Sequence, residues 1–265
     1  MEVESVQKEL EVESVLVTGA DQGIGLEIVR QLVNLTKQLP RYVFATYRDE
    51  SRLRDLKQIK DKSKETLVVL IKMDVTKAKS IQSARKKIEE VVGNRGLNLL
   101  INNEEAVKPK IVPEVNEENL MFHFNTNTVG PIMMLQEMFP LLKKSSELKK
   151  AGLEVSRAAV LNISSMKGSI TQLDDSKAND WHLTMSYRAS KAALNMAMRV
   201  NALWMMEEGI LTVNMCPQRV TTNKEPIETN LNVSESVTAM LETLAKLDES
   251  HHGAFLDRNG IDIPF

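Results

Sequence analysis

Short runs of Val, Leu and Ile alternate along the chain with longer stretches in which apolar residues recur every three or four positions. The short runs cover residues 15–18, 42–46, 67–73, 97–102, 158–163 and 211–215. Their hydrophobicity is continuous rather than alternating, as in strands buried on both faces. The longer stretches, 26–36, 80–92, 130–144 and 187–208, carry the helical period. Strand and helix following one another in this way predict βαβ units with right-handed crossovers, and so a mostly parallel sheet between two helical layers. No linker or shift of composition divides the chain, so the pattern predicts one doubly wound, three-layer α/β domain over 1–265. Residues 1–12 are read as a flexible N-terminal extension, because EVESV occurs at 2–6 and again at 11–15 and only the second copy leads into a strand.

Composition narrows the classes open to this chain. With 34 basic and 36 acidic residues and a formal charge of −2, nothing points to a nucleic-acid or anionic-membrane surface. No window reaches the roughly 18–20 consecutive apolar residues of a membrane span, and the charged first residues lack the apolar core of a signal peptide. The single cysteine, Cys216, has no partner within the chain and reads as a small buried hydrophobe. His123, His182, His251 and His252 show no metal-ligand spacing, and the adjacent pair is read as solvated loop. A soluble cytoplasmic protein without a metal centre is expected.

The first strand runs into Gly19-Ala20-Asp21-Gln22-Gly23-Ile24-Gly25, and a helical pattern follows. In that context Gly19 suits a tight turn, Gly23 lets backbone approach a pyrophosphate, and Gly25 lets helix and strand pack closely. The free amides of the helix N-terminus then face the phosphates. The second strand ends in Arg48, where an acid would hold the ribose 2′-hydroxyl of NAD and an arginine suits the 2′-phosphate of NADP. NADP(H) is therefore favoured with NAD(H) possible, although Asp49 and Glu50 are close enough in sequence to pair with Arg48. Tyr187 and Lys191 lie one helical turn apart on one face, and a lysine there is expected to lower the phenol's pKa toward the working range.

Taken together, Thr18-Gly19-x-x-x-Gly23-Ile24-Gly25, Asp74-Val75, Asn102-Asn103, Asn127-x-x-Gly130, Ser164-Ser165 and Tyr187-x-x-x-Lys191 follow one another in an order that resembles the short-chain dehydrogenase/reductase family over nearly the whole chain. The resemblance is nearest to carbonyl reductases of the sniffer and C-factor type. It rests there on residues 127–132, the long interval from Ser165 to Tyr187, and the tail ending Gly-Ile-Asp-Ile-Pro-Phe. It implies a Rossmann-like fold, with Tyr187 as proton donor to a substrate carbonyl and Lys191 on the nicotinamide ribose. Ser165 would orient the carbonyl, and Asn127 would support a proton-relay water. Gln22, Ile24, Asp74, Val75 and Asn102 would join the glycine loop and Arg48 in holding the cofactor's adenosine and phosphates. Pro217 and Val220 would pass the nicotinamide. Ser164 is read as structural, and the methionines of the two long helices as core or helix–helix interface. The family's usual association through those helices implies a homodimer.

Four residues at three places depart from the family pattern, all on the cofactor side. Asn102-Asn103 is followed by Glu104-Glu105 where small residues are usual; Gln218 stands where Pro217 is usually followed by glycine; and Gln22 is not basic. A carboxylate roughly 6 Å from a diphosphate would cost up to about 3 kcal/mol at an effective dielectric of about 20. The chain therefore reads as an NADP(H)-dependent reductase of a small or medium-sized aldehyde or ketone. The alternative is a catalytically weak or inactive relative acting as a binding or regulatory protein. Substrate selection is expected from the loops at 170–185 and 221–234.

Overall fold

The computed structural model describes residues 9–149, 152–173, 181–218 and 232–265. Its seven strands are β1 (Ser14–Val17), β2 (Tyr42–Tyr47), β3 (Leu67–Lys72), β4 (Leu99–Asn102), β5 (Ala159–Ile163), β6 (Leu211–Cys216) and β7 (Phe255–Asp257). They form one sheet in the order β3-β2-β1-β4-β5-β6-β7, with every strand pair parallel. The helices are α1 (Gly23–Leu32), α2 (Leu53–Lys62), α3 (Ala78–Val92), α4 (Glu117–Phe124), α5 (Gly130–Leu148), α6 (Met185–Glu207) and α7 (Val233–Leu244).

Strand residues of opposite parity feed two separate cores, which is why the strands read as unbroken apolar runs. Val15, Val17, Leu99, Ile101, Leu161 and Val213 pack with Ile28, Leu56 and Met240, under α1, α2 and α7. Leu16, Phe44, Leu100 and Val160 pack on the other face with Ile81, Met138, Leu194 and Met198, under α3, α5 and α6. Met134 and Met205 belong to this second core, whereas Met196 and Met206 are exposed.

The expected strands are all present, within two residues at each end. Four elements went unread: the three-residue β7, the strongly charged α2, the eight-residue α4, and α7, whose twelve residues carry only two charges. The first helix starts earlier than its apolar pattern, at Gly23, and ends at Leu32. Two further expectations need correction. Leu10 and Val12, assigned to a flexible extension, are buried in the first core. His252 is not solvated loop: its ring accepts from the Thr212 amide (3.2 Å) and contacts the Ala202 carbonyl (2.6 Å), tying β6 to α6. Residues 174–180 and 219–231, which hold the middle of the first nominated substrate loop, most of the second, and Val220, lie outside the described residues.

Candidate active site

Between β1 and β4 the strand order reverses direction, so the loops leaving their carboxyl ends part and open a crevice, where α/β sheets bind ligands. One wall is the glycine loop. Gly19 (φ 62°) and Gly23 (φ 55°) are both in the left-handed region, where glycine has no Cβ penalty. Thr46 fixes the loop by accepting from the Gly19 amide through its hydroxyl (3.1 Å) and from the Ala20 amide through its carbonyl (2.7 Å). A Cβ on Gly25 would collide with the Asn103 amide and the Gly19 carbonyl, whereas one on Gly23 would meet none of the described residues within 4 Å. Gln22 enters α1 in an extended conformation, and no side chain caps the helix or places an acid in its first turn. The positive end of α1 therefore lies at Gly23, beside the turn of the loop.

The other wall is α6. Lys191 is 1% exposed, with its ammonium donating to the Ile163 carbonyl (2.8 Å). Tyr187 is buried one turn earlier, and the Ser165 side chain near its hydroxyl acts to lower the phenol's pKa. The same hydroxyl donates to Glu105 Oε2 (3.1 Å), and Lys191 Nζ lies 3.3 Å from that oxygen. Burial, followed by the Glu105 charge, pushes the Tyr187 phenol well above its ordinary value. The expected lowering by lysine is therefore corrected for this state, because the ammonium is engaged by a carboxylate that itself opposes phenolate formation.

Chain 103–108 crosses the crevice between these walls, held by buried side chains. Thr18 Oγ1 accepts from the amides of Asn103 and Glu104 (2.9 Å each). Asn127 accepts from the Ala106 amide (2.8 Å) and donates to the Ala106 carbonyl (3.0 Å) and to Ser190 Oγ (3.0 Å). His123 Nε2 accepts from the Lys108 amide (3.1 Å) and Nδ1 meets the Asn119 carbonyl (2.7 Å), which makes it the neutral Nδ1–H tautomer. Burial lowers the His123 pKa, and its ring stands edge-on to Tyr187 at 6.4 Å. Thr18 opens the glycine motif in the sequence but carried no role of its own there, and no motif spacing links His123 to the site.

A family model described as short chain dehydrogenase matches residues 13–232. The chain belongs to the short-chain dehydrogenase family. It is 37% identical to the NADPH-bound carbonyl reductase from chicken fatty liver (TM-score 0.89, covering 97% of this chain and 100% of that one). It is 30% identical to the carbonyl reductase Sniffer of Drosophila melanogaster (TM-score 0.90, 96% and 100% covered). Among curated relatives, an uncharacterized oxidoreductase of Schizosaccharomyces pombe is 28% identical over 94% of this chain and 96% of its own.

Around the family's catalytic positions the remaining nominated residues divide. Ser164 donates to Asn195 (2.6 Å) and is structural, as expected. Asn102 donates to Asn162 Oδ1 (2.8 Å), and its own Oδ1 is buried without a partner among the described residues. Asp74 accepts from the Thr76 amide and hydroxyl (2.9 and 2.7 Å), while Val75 is buried beside Gly130. Ile24 packs at the edge of the first core, and the Pro217 carbonyl accepts from Ser236. Among the described residues Arg48 makes no close ion pair with Asp49 or Glu50, although its charge is one of those that lower the Asp49 pKa. Asp49 caps Ser51 and Glu50 bonds Lys72 (2.8 Å), while the Arg48 guanidinium lies 4.0 Å from Glu104 Oε1. Gln218 sits at φ 65°, the left-handed conformation that the family's usual glycine adopts freely. Its side chain donates to Asp257 (3.1 Å). Cys216 is buried, and its Sγ accepts from the Met166 and Gln218 amides.

Proposed function

We propose that this member of an oxidoreductase family is an NADP(H)-dependent reductase of small or medium-sized aldehydes and ketones, with Tyr187 as general acid. The observation that carries the reading is the buried Tyr187–Lys191 pair beside Ser165, with a glycine loop in which a Cβ on Gly23 would meet none of the described residues within 4 Å.

The residues fit a dinucleotide. The α1 amides and Gly23 would take the diphosphate, Arg48 the 2′-phosphate, Asp74 and Val75 the adenine, and Lys191 the nicotinamide ribose. When bound, such a cofactor supplies the hydride. Tyr187 delivers a proton from its hydroxyl to the carbonyl oxygen, and Ser165 orients that oxygen and stabilises its developing charge. Burial of Tyr187 keeps the phenol protonated before the reaction, the form a proton donor needs. Arg48 and the NADPH-bound chicken-liver neighbour favour NADP(H) over NAD(H). We also propose a homodimer formed through α6, whose Met196, Val200, Leu203 and Trp204 make an exposed apolar stripe.

The test is NADPH consumption, followed at 340 nm with a panel of aldehydes and ketones. Turnover that falls by about 10²-fold or more in Tyr187→Phe supports the reading. Absence of both turnover and NADPH binding refutes it. The bonds from Glu105 to Tyr187 and Lys191 favour a second reading, a binding protein without catalysis. Nucleotide binding without turnover would select it.

A further inference from the structure

The two acids after β4 meet the two basic groups that a dinucleotide would use. Glu105 Oε2 lies 3.3 Å from Lys191 Nζ and accepts from Tyr187 (3.1 Å). Glu104 reaches the other way, to 4.0 Å from the Arg48 guanidinium, with its carboxylate directly over Gly19. Both side chains are largely covered, at 15% exposure for Glu104 and 28% for Glu105. The backbone carrying them cannot swing aside cheaply. Thr18 holds it at residues 103 and 104, Asn127 at 106 and His123 at 108. What can change is side-chain torsion, so each carboxylate leaves its cation only when something else offers that cation a better partner.

We propose that Glu104 and Glu105 are built-in competitors for the nucleotide anchors, Glu105 setting the affinity for nicotinamide dinucleotides generally and Glu104 setting the preference between NADPH and NADH. This rests on the reductase reading. Lys191 would meet a ribose common to both nucleotides, so its release from Glu105 helps both alike. Arg48 would meet a phosphate that only NADPH carries, and Gln22 lends no second positive charge, so its release from Glu104 favours NADPH. Each carboxylate also repels the nucleotide's own negative charge. Discounted for partial exposure, the combined effect of removing either acid is about tenfold in affinity.

The test has two arms. In the first, wild type, Glu104→Ala and Glu105→Ala are titrated with NADPH and with NADH by calorimetry. Glu105→Ala is expected to bind both nucleotides about tenfold more tightly, and Glu104→Ala to raise the NADPH-to-NADH affinity ratio by a similar factor. In the second, the nucleotide-free protein is titrated at 295 nm for tyrosinate, with Tyr187→Phe as the blank. Glu105→Gln, which keeps the shape of the side chain, is expected to shift the Tyr187 transition to lower pH. The other titratable neighbours, Lys191 on α6, His123 on α4 and Cys216 on β6, are unchanged in that variant. Wild-type binding that neither alanine variant alters, with an unmoved Tyr187 transition, overturns the proposal and leaves the reductase reading standing. Binding of neither nucleotide by any of the three proteins overturns the reductase reading, and the competition with it.

Discussion

Replacing Asn127 with alanine separates two roles for that residue. The family resemblance gives Asn127 a place beside a proton-relay water, whereas its geometry gives its side chain to the polypeptide. Asn127 is 1% exposed, and its amide pairs with both backbone groups of Ala106 and donates to Ser190. Ser190 keeps its own bond to the Tyr187 carbonyl (2.7 Å), so the substitution orphans chiefly the Ala106 amide and carbonyl. A buried polar group without a partner costs about 1–3 kcal/mol, so Asn127→Ala should lose roughly 2–5 kcal/mol, nearer the lower figure if water enters the gap. The assay is urea denaturation followed by circular dichroism, in which the midpoint should fall with unchanged slope. Thermal denaturation should show a drop of roughly 5–10 °C. Asn127→Asp should be destabilised as well, because it sets an oxygen against the Ala106 carbonyl. A loss below about 1 kcal/mol in both variants, with only the rate affected, would refute the reasoning and restore the relay as the residue's main role.

Leu10→Ala should cost about 2–3 kcal/mol, since Leu10 is packed in the core; denaturation indistinguishable from wild type would return that segment to a free extension. His123 is held neutral with a lowered pKa, so below about pH 6.5 the unfolded chain binds a proton that the folded one does not. Its contribution is therefore present above that pH and is lost as pH falls toward the lowered folded value. The loss, read from urea midpoints between pH 7.5 and 5, should shrink in His123→Gln, and identical pH slopes would contradict it. Val200→Lys with Leu203→Glu places charges in the exposed stripe of α6 and should convert a dimer to a monomer in sedimentation velocity. A wild-type protein that already sediments as a monomer would rule the dimer out.

What the sequence determined by itself was what adjacent residues decide. Strands buried on both faces show as continuous apolar runs, the glycine turn shows as a spacing, and Tyr187 and Lys191 share a face because helices repeat every 3.6 residues. The fold class followed from the alternation of those elements. Even the departures at Glu104, Glu105 and Gln218 were legible as residue types in unusual places. The three-residue β7 is too short to show a period, and α2 passed unread although its buried Leu53, Leu56 and Ile59 recur every three residues between charged positions.

Only the tertiary structure decided which partners the site residues found. Glu105 and Tyr187 are 82 positions apart, and their contact depends on β4 lying beside β1 and on α6 packing over that crevice. Arg48 had acids next to it in sequence, yet those are engaged by Ser51 and Lys72, and its carboxylate comes from the far side of the glycine loop. Asn127 and His123 gained their roles in the same way, from a loop whose backbone groups had to be satisfied once buried. Residue chemistry and spacing are local properties, written along the chain. Ion pairs, hydrogen-bond partners and pKa shifts depend on distance and burial, which exist only after the strands have taken their order in the sheet.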